Sequence, residues 1–129
     1  MKNPLTKEWV SKAEDDWKVA QREWNSPEPV YNAICFHCQQ CIEKYEKALI
    51  QEEGQIPPKT HDLVALLNML KNKEMLEIDK ESLIRISTYA TYFRYPRGVD
   101  ATELEAKEAI EIAGKFRKLA RKILGLRKK

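Results

Sequence analysis

Histidine is the scarcest reactive side chain in this 129-residue chain, with two copies, His37 and His61. Glycine is nearly as scarce, and its four residues form no glycine-rich phosphate loop. No serine triad pattern is present either. No apolar run approaches the roughly 20 residues that span a bilayer, so no membrane contact is expected. The N-terminus lacks a positive region followed by an apolar core, so no secretory signal is read there. Three cysteines cannot pair completely within one chain. Without a secretory signal they read as reduced thiols, which places the chain in the cytoplasm. Nothing in the pattern reads as a sheet.

What is present is a well-charged, soluble profile, 43% hydrophobic and 33% charged, of a length that suits one domain. The formal charge of +3 is unevenly spread: residues 115–129 carry eight Lys and Arg and no acid, leaving −5 on the rest. Such a basic end attracts phosphates. It equally offsets the negative end of a helix dipole.

Apolar spacing of three and four marks the helices. Trp9, Ala13, Trp17, Ala20 and Trp24 share a face over residues 6–25, which Pro27 and Pro29 bring to an end. A second helix over residues 30–53 buries Val30, Ile34, Cys38, Cys41, Tyr45, Ala48 and Leu49, with Gly54 as its C-cap. A third starts near His61 or Asp62, with Thr60 as the candidate N-cap. A fourth opens after Asp79 and ends at Tyr95-Pro96, since the residue before proline avoids the helical region. A fifth opens on the capping-box pattern Thr102-Glu103-Leu104-Glu105 and closes at Gly125. Short connections between five helices imply an all-α, antiparallel, up-and-down helical bundle.

Three islands exceed what helix packing requires. On the second helix Lys44 falls within about 20° of His37, and Gln40 about 60° away. They form a polar row beside the apolar stripe, suited to a phosphate or a base edge, or to a neighbouring helix. His61 sits near a helix N-terminus, where unpaired N–H groups attract anions. In Tyr92-Phe93-Arg94-Tyr95-Pro96-Arg97, arginines stand among aromatic rings, a pattern suited to base stacking and phosphate pairing or to a salt bridge with packed rings. Cys35, Cys38 and Cys41 fan across one helix rather than sitting in the turns that zinc sites favour, so they read as small hydrophobes, with no metal or cofactor expected.

In order, Ala13-Glu14-Asp15-Asp16, Cys35-Phe36-His37-Cys38-Gln39-Gln40-Cys41-Ile42-Glu43-Lys44, Thr60-His61-Asp62-Leu63 and Tyr92-Phe93-Arg94-Tyr95-Pro96 resemble the HEPN domain family over nearly the whole chain. The resemblance implies a HEPN-like helical domain over residues 3–125, with a basic tail at 126–129. It also implies a homodimer and a minimal nucleotidyltransferase partner in a toxin–antitoxin-like pair. Many members of the family are metal-independent RNases whose motif is an arginine followed, four to six residues on, by a histidine. Here no histidine follows Arg94, and neither His37 nor His61 has an arginine at that distance upstream. Three functions remain open. One is a nucleotide- or RNA-binding module using His37, Gln40, Lys44, His61, Tyr92, Arg94, Tyr95 and Arg97. The second is an RNase with a displaced His/Arg site, and the third a purely structural partner.

Overall fold

In the computed structural model the described residues are 1–93, 95–96 and 98–127. They form five α-helices: α1 Pro4–Trp24, α2 Tyr31–Glu52, α3 Leu63–Asn68, α4 Lys80–Ser87 and α5 Glu103–Ile123. A 3-10 turn, Lys73–Leu76, precedes α4, and another, Thr88–Ala90, follows it. No strand occurs among the described residues.

Most ends are set by local chemistry. The Asn3 side chain caps α1, which opens on Pro4, a residue with no N–H to leave unpaired. That start is two residues earlier than the apolar spacing suggests. Thr102 and Glu105 complete a reciprocal capping box on α5. Gly54 and Gly125 take φ of +84° and +73° just past α2 and α5. There the N–H of Gln55 reaches the Ile50 carbonyl and that of Leu126 the Arg121 carbonyl, satisfying the last turns.

Two further boundaries differ from the sequence reading, and Val30, expected on the buried stripe, is instead the exposed residue that precedes α2. Asp62, not Thr60, caps α3: its carboxylate accepts from the N–H groups of Val64 and Ala65, while the Thr60 hydroxyl accepts from Asp62 N–H. The fourth helix also stops at Ser87 rather than at Tyr95-Pro96. The Thr88 hydroxyl donates back to the Arg85 carbonyl at 2.6 Å. This competes with the regular ladder and tightens the chain into a 3-10 turn.

α2 is the central stave. The Asn3 side chain meets the Gln51 carbonyl and Asp16 meets Lys44, so α1 runs antiparallel to α2. Arg85 pairs with Glu108, which puts α4 beside α5. Tyr31 bonds Glu103 and Tyr45 bonds Arg121, so α5 runs in the direction of α2. The up-and-down order is therefore α1, α2, α4, α5, with α3 as a short excursion. Trp17 is buried and lies against Gly114, where an added Cβ would sit 3.0 Å from the indole. The absence of a side chain there lets the two helices approach. Cys35, Cys38 and Cys41 are completely buried, and burial pushes their thiols up, Cys35 to about 12. No helix among the described residues is long and apolar enough to cross a membrane.

Candidate functional site

Between its first turn and its last residue, α2 is buried except along one strip: Ala33, Phe36, His37, Gln40 and Lys44. The spacing is helical, so these residues form one stripe that its neighbours leave uncovered. α1 borders the strip through Asp16, and the segment leading into α3 borders it through His61.

Asp16 is a carboxylate on the apolar stripe of α1, and it serves two residues of α2. Its Oδ1 lies 2.8 Å from His37 Nδ1 and its Oδ2 2.6 Å from Lys44 Nζ. A carboxylate only accepts, so His37 Nδ1 carries the proton and Nε2 is the basic nitrogen of the neutral ring. The Phe36 ring meets the imidazole edge-on at 5.1 Å, which fixes its plane.

A second carboxylate organises the other side. Glu43, buried, accepts from His61 Nδ1 at 2.8 Å, from Lys47 at 3.1 Å and from Gln39 at 3.2 Å. Lys47 is itself set over the Trp9 ring at 5.4 Å. Gln39 also donates to the His61 carbonyl, and Gln40 donates to Gln39 at 2.7 Å. His61 is 67% exposed, yet its ring is aimed by this bond, leaving Nε2 towards solvent. His37 and Lys44 thus share one centre. Gln40 and His61 are joined to a second by way of Gln39 and Glu43.

Tyr92 and Tyr95 are exposed, and Tyr92 stacks on Phe93 at 5.1 Å. Neither tyrosine bonds to His37, Gln40, Lys44 or His61. Arg94 and Arg97 lie outside the described residues. Asp16 and Glu43 stand in the motifs quoted above, but the sequence reading did not place either in the site. The available signal was an acid inside an apolar stripe: Asp16 falls three residues after Ala13 and four before Ala20, both completely buried. Among the described residues no three of His, Cys, Asp and Glu converge as metal ligands do.

Two further acids meet α2 away from the strip, Glu14 half-buried and Glu46 buried. Glu14 receives both a two-point bond from Arg117, at 2.6 and 2.7 Å, and the Tyr45 hydroxyl. Burial pushes its carboxyl up, but these donors outweigh burial and hold it below the usual range. Glu46 is completely buried, and neither carboxyl oxygen has a hydrogen-bond partner. Burial, with Glu43 and Asp62 nearby, drives its carboxyl well above the usual range, against the smaller pull of Lys47.

Comparison with known proteins agrees with this architecture. The HEPN domain profile matches residues 6–123. The crystal structure of TT1696 from Thermus thermophilus is similar, with a TM-score of 0.76 and 25% identity over 91% of this chain and 96% of that one. So is the structure of ST0689, described as an archaeal HEPN homologue, with a TM-score of 0.70 and 24% identity over 96% of this chain and 99% of that one. A comparison with curated proteins gave no match. With its fold and nearly all of its length accounted for in this way, the chain belongs to the HEPN domain family.

Proposed function

We propose that this HEPN domain is a nucleotide- or RNA-binding module whose contact surface is the uncovered strip of α2. The observation that supports it best is the joining of His37, Gln40, Lys44 and His61 to fixed partners on a helix otherwise buried. Side chains held in place lose little freedom on binding, which favours affinity. Lys44 keeps two N–H donors beyond the one aimed at Asp16, and these suit a phosphate. His37 and His61 offer Nε2 acceptors to a base edge. Tyr92 and Tyr95 supply exposed rings for stacking, and Arg94 and Arg97 of the same segment supply charge.

In this reading the domain acts as a homodimer beside a minimal nucleotidyltransferase, in a toxin–antitoxin-like pair. Exposed Val30, Tyr92, Tyr95, Val99 and Leu104 favour a dimer surface. Val30 and Leu104 flank the Tyr31–Glu103 bond. The test is titration with ATP and with a short oligoribonucleotide, followed by NMR. Saturable shifts centred on His37, Gln40, Lys44 and His61, weakened by Lys44→Ala, are expected. No saturable binding at millimolar ATP or with RNA removes the proposal.

A second reading is RNA cleavage without metal. The observation favouring it is that each imidazole has Nδ1 on a carboxylate, which leaves Nε2 as the nitrogen that could act as a general base. Cleavage in EDTA that His37→Ala or His61→Ala abolishes would establish it. Intact RNA with nucleotide still bound would leave the binding module.

A further inference from the structure

Gln39, Glu43 and Glu46 follow one another at spacings of four and three residues, so they form one line along α2, turned away from His37 and Lys44. The first two hold the segment that leads into α3. Gln39 donates to the His61 carbonyl, and Glu43 accepts from His61 Nδ1. Glu46 stands one turn further on, close enough to Asp62, the cap of α3, for the two carboxyls to repel. α3 itself is six residues long and buries Leu63, Leu66 and Leu67. At its head the Ser87 hydroxyl accepts from Leu63 N–H and donates to the His61 carbonyl. A helix this short has no stability of its own, so α3 stays folded only while it is packed on α2 and α4.

One member of that packing is chemically conditional. Glu46 is completely buried, and neither carboxyl oxygen has a hydrogen-bond partner. Such a site tolerates a neutral acid far better than an unpaired charge. The charged groups around it offer no relief. Glu43 and Asp62 are acids, and the nearby cation, Lys47, is already bonded to Glu43. His61 is turned to Glu43 as well. α4 brings the neutral hydroxyl of Ser87 to this junction. A carboxylate formed here is therefore relieved by reaching water. Lifting α3 away achieves that while α1 and α5 keep their places on α2.

We propose that Glu46 is a pH-sensitive latch, whose ionisation releases α3 and the His61 segment from α2 and so withdraws His61 from the strip as pH rises. The release is a property of the fold, and its meaning for ligand binding rests on the reading of the strip given above. In the open form Glu46 is a solvated glutamate that ionises at about pH 4.3. In the closed form burial, with Glu43 and Asp62, holds its proton to a higher pH. Between those two values opening releases a proton, so the open population rises about tenfold per pH unit. Above the closed-form value it stays level.

The test is amide hydrogen exchange of the full chain between pH 5 and 8, with no ligand present. The reporters are the N–H groups of Leu63, Leu66 and Leu70, which bond to Ser87, Asp62 and Leu67. In the wild type they are protected about tenfold less, or lower still, than amides in the middle of α5, because α3 opens without the rest of the chain. In E46Q their protection exceeds that of the wild type, and the ratio widens about tenfold per pH unit before levelling. E46L gives the same result and takes the place of E46Q if the amide is not accommodated. Equal protection of α3 and α5 in the wild type overturns the proposal, because Glu46 is then uncovered only when the whole chain unfolds. A ratio that stays constant with pH overturns it too. A failed ATP titration removes the reading of the strip and leaves the exchange result standing.

Discussion

Replacing Glu46 with leucine should make the protein more stable, increasingly so as pH rises. Glu46 is completely buried, both its oxygens lack hydrogen-bond partners, and Lys47 is committed to Glu43. Two effects follow. A buried polar group without a partner costs about 1–3 kcal/mol even when neutral, and Glu46→Leu removes that cost at every pH. The second effect is proton linkage. In the unfolded chain a glutamate releases its proton at about pH 4.3. In the folded chain burial, with Glu43 and Asp62, keeps the proton to a higher pH. Between those two values the folded state binds the extra proton, so wild-type stability falls as pH rises, by about 1.4 kcal/mol per unit. Above the folded value the loss is complete and the curve is flat. Urea melts of both proteins at pH 4, 6 and 8 measure this directly. The gain from Glu46→Leu starts at about 1–3 kcal/mol at pH 4 and widens towards pH 8. Parallel wild-type and variant curves, or a variant less stable throughout, would refute the assignment of Glu46 as a partnerless, protonated acid.

Glu14 has the opposite sign. Its lowered carboxyl contributes stability that is present above about pH 4.3 and lost as pH falls through the folded value. Glu14→Gln removes the charge that Arg117 grips and should cost about 1.5–3 kcal/mol at pH 7, with the gap to wild type closing in acid urea melts. Thr102→Ala removes one half of the α5 capping box. It should cost about 1 kcal/mol, seen as a fall in Tm of about 3–5 °C.

The helices were legible in the sequence because their boundaries are written locally. Prolines follow α1, Asp79 and Thr102 cap α4 and α5, and Gly125 closes α5. The end of α4 was not, because a single hydroxyl, Thr88, competes with the ladder there in a way no apolar spacing records. In the candidate site, the polar row on α2 could be read from helix periodicity alone. Its carboxylates could not. Whether Asp16 meets His37 depends on how far α1 is rotated against α2, which is a property of packing. The isolation of Glu46 was equally hidden, because Glu43, Glu46 and Lys47 look on paper like an ordinary solvated run of alternating charge.

The direction of α5 bears on the order in which the chain assembles. α1 and α2 are joined by six residues, 25–30, whereas α5 reaches its place beside α2 only after about 50 intervening residues, 53–102. Closing the longer loop costs about 1.9 kcal/mol more in chain entropy, from (3/2)RT times the logarithm of the length ratio. The α1–α2 hairpin is therefore the cheaper nucleus, and α5 arrives late. Until it does, Tyr45 lacks the part of its cover that α5 supplies through Arg121, and the bond between Glu14 and Arg117, 103 positions apart, is among the last to close.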